Sequence, residues 1–192
     1  MPQALYSHAT LGALFRYWEK KRGSRPMPAR RDIDPIEMDR RVLPHLMLCE
    51  VSEHGSLIRF RLVGTSLARR WGLDPTGKTL SDLPPADYFD FLGALIRRSY
   101  AEEAPVYGES RFRWGTKQRE LDALHLLLPL STSGTGPGIV LVGTAYSSDD
   151  VFPPQIRILN DIARHRIGLR QVLTVGDPAL AAGERHPASI AR

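Results

Sequence analysis

The stretch Leu57–Pro84, LIRFRLVGTSLARRWGLDPTGKTLSDLP, decides how this chain folds. Ile58, Phe60 and Leu62 fall on one side of an extended segment, and Arg59 and Arg61 on the other. That two-residue period marks a strand with one face buried. Gly64 ends it, and Thr65–Trp71 reads as a short helix closed by Gly72. Asp74–Gly77 (DPTG) carries Pro and Gly at the second and fourth places of a type I turn. Ser81 or Asp82 begins a further turn, ended by Pro84-Pro85. Downstream, RELDALHLLLPLS at Arg119–Ser131 reads as a long strand from the opposite side of the same sheet. Neither stretch holds a set of residues that could make or break a covalent bond. The two describe the flanks of a small sensor pocket, which points to binding and signalling and away from an enzyme.

Outward from this stretch, His45–Val51 is apolar on both faces and forms a central strand, which Glu53–Ser56 (EHGS) turns back into Leu57–Val63 as a hairpin. Upstream, Leu11, Leu14, Phe15 and Trp18 form an apolar stripe on a helix over residues 8–22, with Thr10 as candidate N-cap and Gly23 as its stop. Pro26 and Pro28 hold the following segment extended. Asp34-Pro35 then caps a short helix through about Arg41. Residues 86–102 form the longest mid-chain helix, with Tyr88, Phe91, Leu92, Leu95 and Ile96 on one face. Strands follow at about 105–114, 120–130 and 138–146. A helix-like run from Gln155 to Val175 has an imperfect apolar stripe broken by Gly168. Antiparallel hairpins at both ends of the order, with helices on one face and flanking helices at the N- and C-terminal sides, define an α+β fold. The expected parts are an N-terminal helix and extended segment (1–33), a sensor domain (34–147), and a C-terminal helix with a flexible tail (148–192).

Composition sets the frame. The 192 residues suffice for one domain with a proper core, and 42% hydrophobic with 24% charged is ordinary globular material. No apolar run nears the ~18–20 residues that cross a bilayer, and Met1–Phe15 lacks the pattern of a secretory signal. A single cysteine, Cys49, cannot form an intrachain disulfide and fits a reducing compartment, so a cytoplasmic location is expected. The net charge of +5 raises the question of nucleic acid. The densest basic segment, Lys20–Arg41, is offset by Asp32, Asp34, Glu37 and Asp39, which reads as a solvated face.

The order of elements is that of PAS domains, and local strings strengthen the likeness. RFRLVGTSLARRWGLDPTGKTLSDL resembles the second strand and first helices of a bacterial subfamily with a single PAS domain per chain. The Tyr17-Trp18 helix, PARRDIDP at Pro28–Pro35, the LPHL start of the first strand and ELDALHLLLPL belong to the same pattern. The likeness covers roughly Leu11 to Tyr146. It implies a five-stranded antiparallel sheet curled around a hydrophobic pocket under the helices, which binds small ligands or cofactors, dimerises and signals through its flanking helices.

Candidate chemistry is sparse. Some PAS sensors ligate haem through a histidine on the long helix, but residues 86–102 contain none. His125 shares a strand side with Leu121, Ala123 and Leu127, and a surface or hydrogen-bonded role outweighs an axial ligand. A photochemical flavin site needs a cysteine in the short-helix region, whereas Cys49 lies on the first strand as a small buried hydrophobe. Haem and flavin are therefore both disfavoured, no metal-ligand spacing is present, and VGTSLA (Val63–Ala68) lacks the second glycine of a nucleophile elbow. Arg59 and Arg61 with Arg111 and Arg113 could make a basic sheet face. Phe60, Tyr88, Phe91, Leu92, Leu95, Phe112, Leu126 and Leu128 line either a ligand cavity or a filled core, which share one composition.

The expectation is a non-catalytic PAS-type sensory domain that binds an apolar or amphipathic small molecule, or a signalling protein, and acts in trans. Leu11, Leu14, Phe15 and Trp18 are the candidate homodimer contacts. The alternative is a DNA-associated regulator whose Arg157, Arg164, Arg166 and Arg170 meet phosphates.

Overall fold

Strand after strand in this chain has apolar residues on both sides, so its sheet needs a cover on each face. The computed structural model describes residues 8–83, 87–114, 119–132, 137–146 and 168–174. Its helices are α1 (Ala9–Arg22), α2 (Thr65–Trp71) and α3 (Asp87–Glu102). Its strands are β1 (Leu46–Ser52), β2 (Leu57–Val63), β3 (Val106–Trp114), β4 (Arg119–Ser131), β5 (Pro137–Tyr146) and β6 (Gly168–Thr174). The sheet runs β2-β1-β5-β4-β3-β6, and every neighbouring pair is antiparallel. The five expected strands are all present.

The sixth strand corrects a reading. The helix expected over 155–175 is a strand at Gly168–Thr174, paired with β3 from Thr174 opposite Val106 to Gly168 opposite Arg111. Residues 155–167 lie outside the described residues. Two forces favour the strand. Without β6 the backbone groups along one side of β3 would be unpaired, and Val172, Leu173 and Thr174 suit a pleated surface.

The two faces of the sheet carry separate cores. On the inner face Cys49, Ile58, Phe60, Val106, Ala123, Leu127, Val140 and Val142 pack with Leu67 and Trp71 of α2 and Tyr88, Leu92 and Leu95 of α3. On the outer face Leu46, Tyr107, Leu126, Leu128, Leu130, Leu141 and Ala145 pack with Leu11, Leu14, Phe15 and Trp18 of α1. Met27, Ile33, Met38 and Val42 from the linking segment complete that second core. The α1 stripe expected to meet a second copy is therefore buried against its own sheet. Burial of its four large side chains is worth several kcal/mol, at about 1.5–3 kcal/mol each, which is why the helix folds back. Trp18 Nε1 also donates to the Pro129 carbonyl at 3.1 Å, tying α1 to β4.

Local details refine several boundaries. His8, rather than Thr10, caps α1: its Nδ1 accepts from the Leu11 amide at 3.4 Å. Asp34 caps only a single 3-10 turn, Pro35–Glu37. The DPTG turn closes one residue later than expected, through Lys78 N–H to the Pro75 carbonyl, with Asp74 accepting from the Thr76 amide at 2.9 Å. On β2 a bulge between Phe60 and Leu62 breaks the alternation: Cys49 pairs with Phe60 but Leu48 with Leu62, leaving Arg61 as the extra residue. Val63 therefore takes the inward place, and Leu62, expected inside, is 49% exposed. The expected basic face also dissolves. Arg59 and Arg61 lie on β2, Arg111 and Arg113 on β3, with β1, β5 and β4 between them.

α1 crosses β5 at Gly143, where a Cβ would stand 2.6 Å from Leu14 Cδ2 and 3.0 Å from Leu11 Cδ2. The missing side chain sets how closely helix and sheet approach. Gly143→Ala should lower stability by about 1–3 kcal/mol through overpacking, seen as a lower urea midpoint with an unchanged slope.

Candidate functional site

The inner core gathers most of the residues expected to line a ligand cavity or a filled core, and several elements contribute to it. β2 contributes Phe60, β4 contributes Ala123, His125 and Leu127, and α3 lays Tyr88, Leu92 and Leu95 across them. α2 adds Trp71, and β5 adds Thr144 and Tyr146. Strand alternation puts these residues on one face: Val140, Val142, Thr144 and Tyr146 recur every second position along β5.

Two polar groups sit inside this greasy surround. Tyr146 is the centre of the first. Its hydroxyl accepts from Trp71 Nε1 at 3.3 Å and pairs with the Tyr88 hydroxyl at 3.2 Å, so one phenol links α2, α3 and β5. The Arg70 guanidinium stacks over the Tyr146 ring at 4.2 Å. Burial, then the neighbouring Tyr146, holds the Tyr88 hydroxyl well above the usual tyrosine range, so it stays protonated. His125 is the centre of the second. It is fully buried, its Nδ1 lies 3.1 Å from Thr144 Oγ1, and its Nε2 lies 3.5 Å from Ser110 Oγ. Tyr88 and Phe91 rings flank it at 5.9 and 5.7 Å. Both ring nitrogens thus face hydroxyls, which can donate or accept as either tautomer requires.

Of the expected pocket residues, Phe60, Tyr88, Leu92 and Leu95 are assembled in the inner core, with Phe91 packed against it. Leu126 and Leu128 are corrected: they point to the other face and pack in the α1 core, because they alternate with His125 and Leu127 along β4. Phe112 is placed only by its backbone, which pairs with Leu121. Arg157, Arg164 and Arg166 lie outside the described residues. Sequence reasoning missed Trp71, Thr144, Tyr146 and Ser110 as members of the site. The period-two run Val140-Val142-Thr144-Tyr146 was a usable signal, but nothing local announced that Ser110 would face His125 from a neighbouring strand.

Trp71, Tyr88 and Phe89 meet edge to face, with centroids 5.3–5.8 Å apart, and fill the inner core under α2. Cys49 is fully buried on β1, and burial pushes its thiol up to about 12, which makes it an inert core residue. Among the described residues, no group of three or more His, Cys, Asp or Glu is placed to hold a metal ion. Nor is any helix among them long and apolar enough to cross a membrane.

An antiparallel sheet with α2 and α3 packed over one face frames this aromatic core. The sequence model of the PAS domain family matches residues 6–144, and the chain belongs to that family. PAS domains are typically non-catalytic sensory domains. No curated protein matches the chain. Among solved structures it is similar to the PAS domain of the histidine kinase ThkA, at 17% identity, covering 52% of this chain and 96% of that one, with a TM-score of 0.34. It is also similar to a fungal LOV domain photoreceptor, at 17% identity, covering 74% and 96%, with a TM-score of 0.38.

Burial lowers the His125 pKa from 6.5 to about 3. The folded state then refuses a proton that the unfolded chain takes up. The stability tied to the neutral ring is fully present above pH 6.5 and is lost as pH falls through that window towards 3. The slope is about 1.4 kcal/mol per pH unit. His125→Leu removes the titrating group, so the stability difference between native protein and variant should shift in the variant's favour by roughly 1 kcal/mol per unit between pH 6 and 4. Urea denaturation at pH 7, 6, 5 and 4 checks this. A constant difference would mean that His125 accepts a proton without unfolding.

Proposed function

We propose that this PAS domain is a non-catalytic cytoplasmic sensor that takes an amphipathic small molecule into its inner chamber and reports it through α1 to a partner in trans. The observation that carries the reading is the arrangement of β4. This strand turns His125 and Leu127 towards α3, and Leu126, Leu128 and Leu130 towards α1. A displacement of β4 on the inner side is therefore a displacement of the surface on which α1 rests, and the Trp18–Pro129 hydrogen bond fixes the contact point.

The chamber's chemistry supports the ligand class. Its walls are aromatic and aliphatic, which favours an apolar body. The Tyr88, Tyr146 and Thr144 hydroxyls and the neutral His125 ring offer donors and acceptors but no net charge to a polar end. Because Trp71, Tyr88 and Leu92 are packed against one another, an entering molecule must move side chains and with them α2 or α3. Such a site converts occupancy into helix position, as a population shift between two packings. Enzyme chemistry finds no support in it: Tyr88 stays protonated and the imidazole is enclosed by hydroxyls and rings.

Native mass spectrometry of freshly purified protein tests the proposal. The expected result is a retained small-molecule mass that is lost when Leu92→Trp overfills the inner core and leaves no room for a ligand. A clean apo species, together with no change at Tyr88, Leu92 or His125 resonances across a panel of amphipathic compounds, would contradict ligand sensing and favour a protein partner as the input.

A further inference from the structure

Outside the chamber, on the other face of the sheet, a groove of about 380 Å³ opens beside β1 and β2. Its walls include Ile33 and Met38 from the linking segment, Leu48 of β1, Leu62 of β2 and Leu141 of β5. This lies within the range of small-molecule pockets, roughly 300–1,000 Å³. The β2 bulge supplies one wall of the groove. Regular alternation would turn Leu62 inward, and the extra residue Arg61 instead aims it outward beside Leu48, where it stays 49% exposed. A bulge that re-aims a large apolar side chain into a concave, half-open site costs stability unless something covers it.

The polar side of the groove is charged. Arg30 lines it, and Nη1 donates to the Ile33 carbonyl at 3.1 Å, which anchors the guanidinium over the Ile33 wall. Among the described residues Arg30 has no carboxylate partner, although four acids follow it closely. Asp32 pairs with Arg25 at 2.8 Å, Glu37 with Lys21 at 2.5 Å and Asp39 with Arg41 at 2.5 Å. Asp34 accepts from the Ile36 amide at 2.9 Å. The segment's acids are thus occupied elsewhere, while an arginine with donors to spare borders an apolar trough. An arginine fork matches a carboxylate in geometry as well as charge.

We propose that this groove binds a free medium-chain carboxylic acid, with its aliphatic tail against Ile33, Met38, Leu48 and Leu62 and its carboxylate on Arg30. The volume suits one such molecule. Among the described residues that line the groove Arg30 is the one cation, and it selects an anionic head over a neutral or positive one. The site differs from the inner core in its walls, which share only Met47 and Val63 with that core, so either reading can stand without the other.

Decanoate and decylamine, which share a tail and differ in charge, are the probes. Backbone amide shifts of the full chain are followed during titration below either probe's micelle threshold. Decanoate is expected to perturb residues 30–38, 46–48 and 62–65 and to bind at least tenfold more tightly than decylamine. Arg30→Ala should abolish that preference, and Arg30→Lys should keep part of it. Leu62→Asp should weaken decanoate tenfold or more; the residue is already half-exposed, so the fold survives, which the dispersion of the spectrum verifies. Equal binding of the two probes, or no binding of decanoate, overturns the proposal. So do shifts confined to Tyr88, Leu92 and His125, which would place the ligand in the chamber instead. A chain that self-associates until Leu62→Asp separates it, with no decanoate effect, would assign the groove to a second copy and equally overturn it.

Discussion

The structure depends on one constraint: a single sheet whose two faces are both apolar and must both be covered. Leaving either face in water would expose a contiguous apolar surface far larger than a monomer tolerates. α2 and α3 cover one face, and α1 with the segment from Met27 to Val42 covers the other. Everything distinctive about the molecule follows. α1 is a structural layer rather than an appendage, Gly143 is small because the helix passes directly over it, and the strands between are shared by two cores. A β-sheet in this position transmits strain, because close-packed interiors repack in discrete steps rather than deforming smoothly.

Much of this could be read directly from the chain. The limits of β2 and α2 follow from the alternation Ile58–Phe60, the glycine at 64 and the closing Gly72, and all three act locally. The placement of His125 with Ala123 and Leu127 needed only strand periodicity. What failed to be legible was non-local. The bulge at Arg61 depends on pairing with β1, and it reverses Leu62 and Val63 without any mark in the sequence of β2. The parity of Leu126 and Leu128 was visible, but which parity faced α3 was decided by tertiary packing. The apolar stripe of α1 was clear, whereas its destination was not: a stripe of Leu, Phe and Trp looks the same whether its partner is its own sheet or another chain. β6 shows the same limit, since pairing with β3 outweighed an imperfect helical period.

The polar groups in the inner core qualify its greasy character. A buried hydroxyl or imidazole without a partner costs about 1–3 kcal/mol, and here each finds one: Tyr88 on Tyr146, Trp71 on Tyr146, His125 between Thr144 and Ser110. Satisfied networks of this kind specify one packing of α2, α3 and the sheet. On the proposed reading, a ligand whose polar end replaces one of these bonds enters at little net cost in hydrogen bonding, leaving apolar burial to drive binding. The same network explains why a fully buried histidine is tolerated in this core.

The central claim is that the inner core and α1 are coupled through the sheet. Hydrogen exchange of the α1 amides in Leu92→Ala, a change confined to the opposite face, tests it most directly. The account predicts that exchange along Leu11–Trp18 accelerates beyond what the variant's global loss of stability allows, with β4 amides near Pro129 following. Exchange in α1 that only scales with global stability, or does not change, would mean that the two cores merely share a sheet and that no signal passes between them.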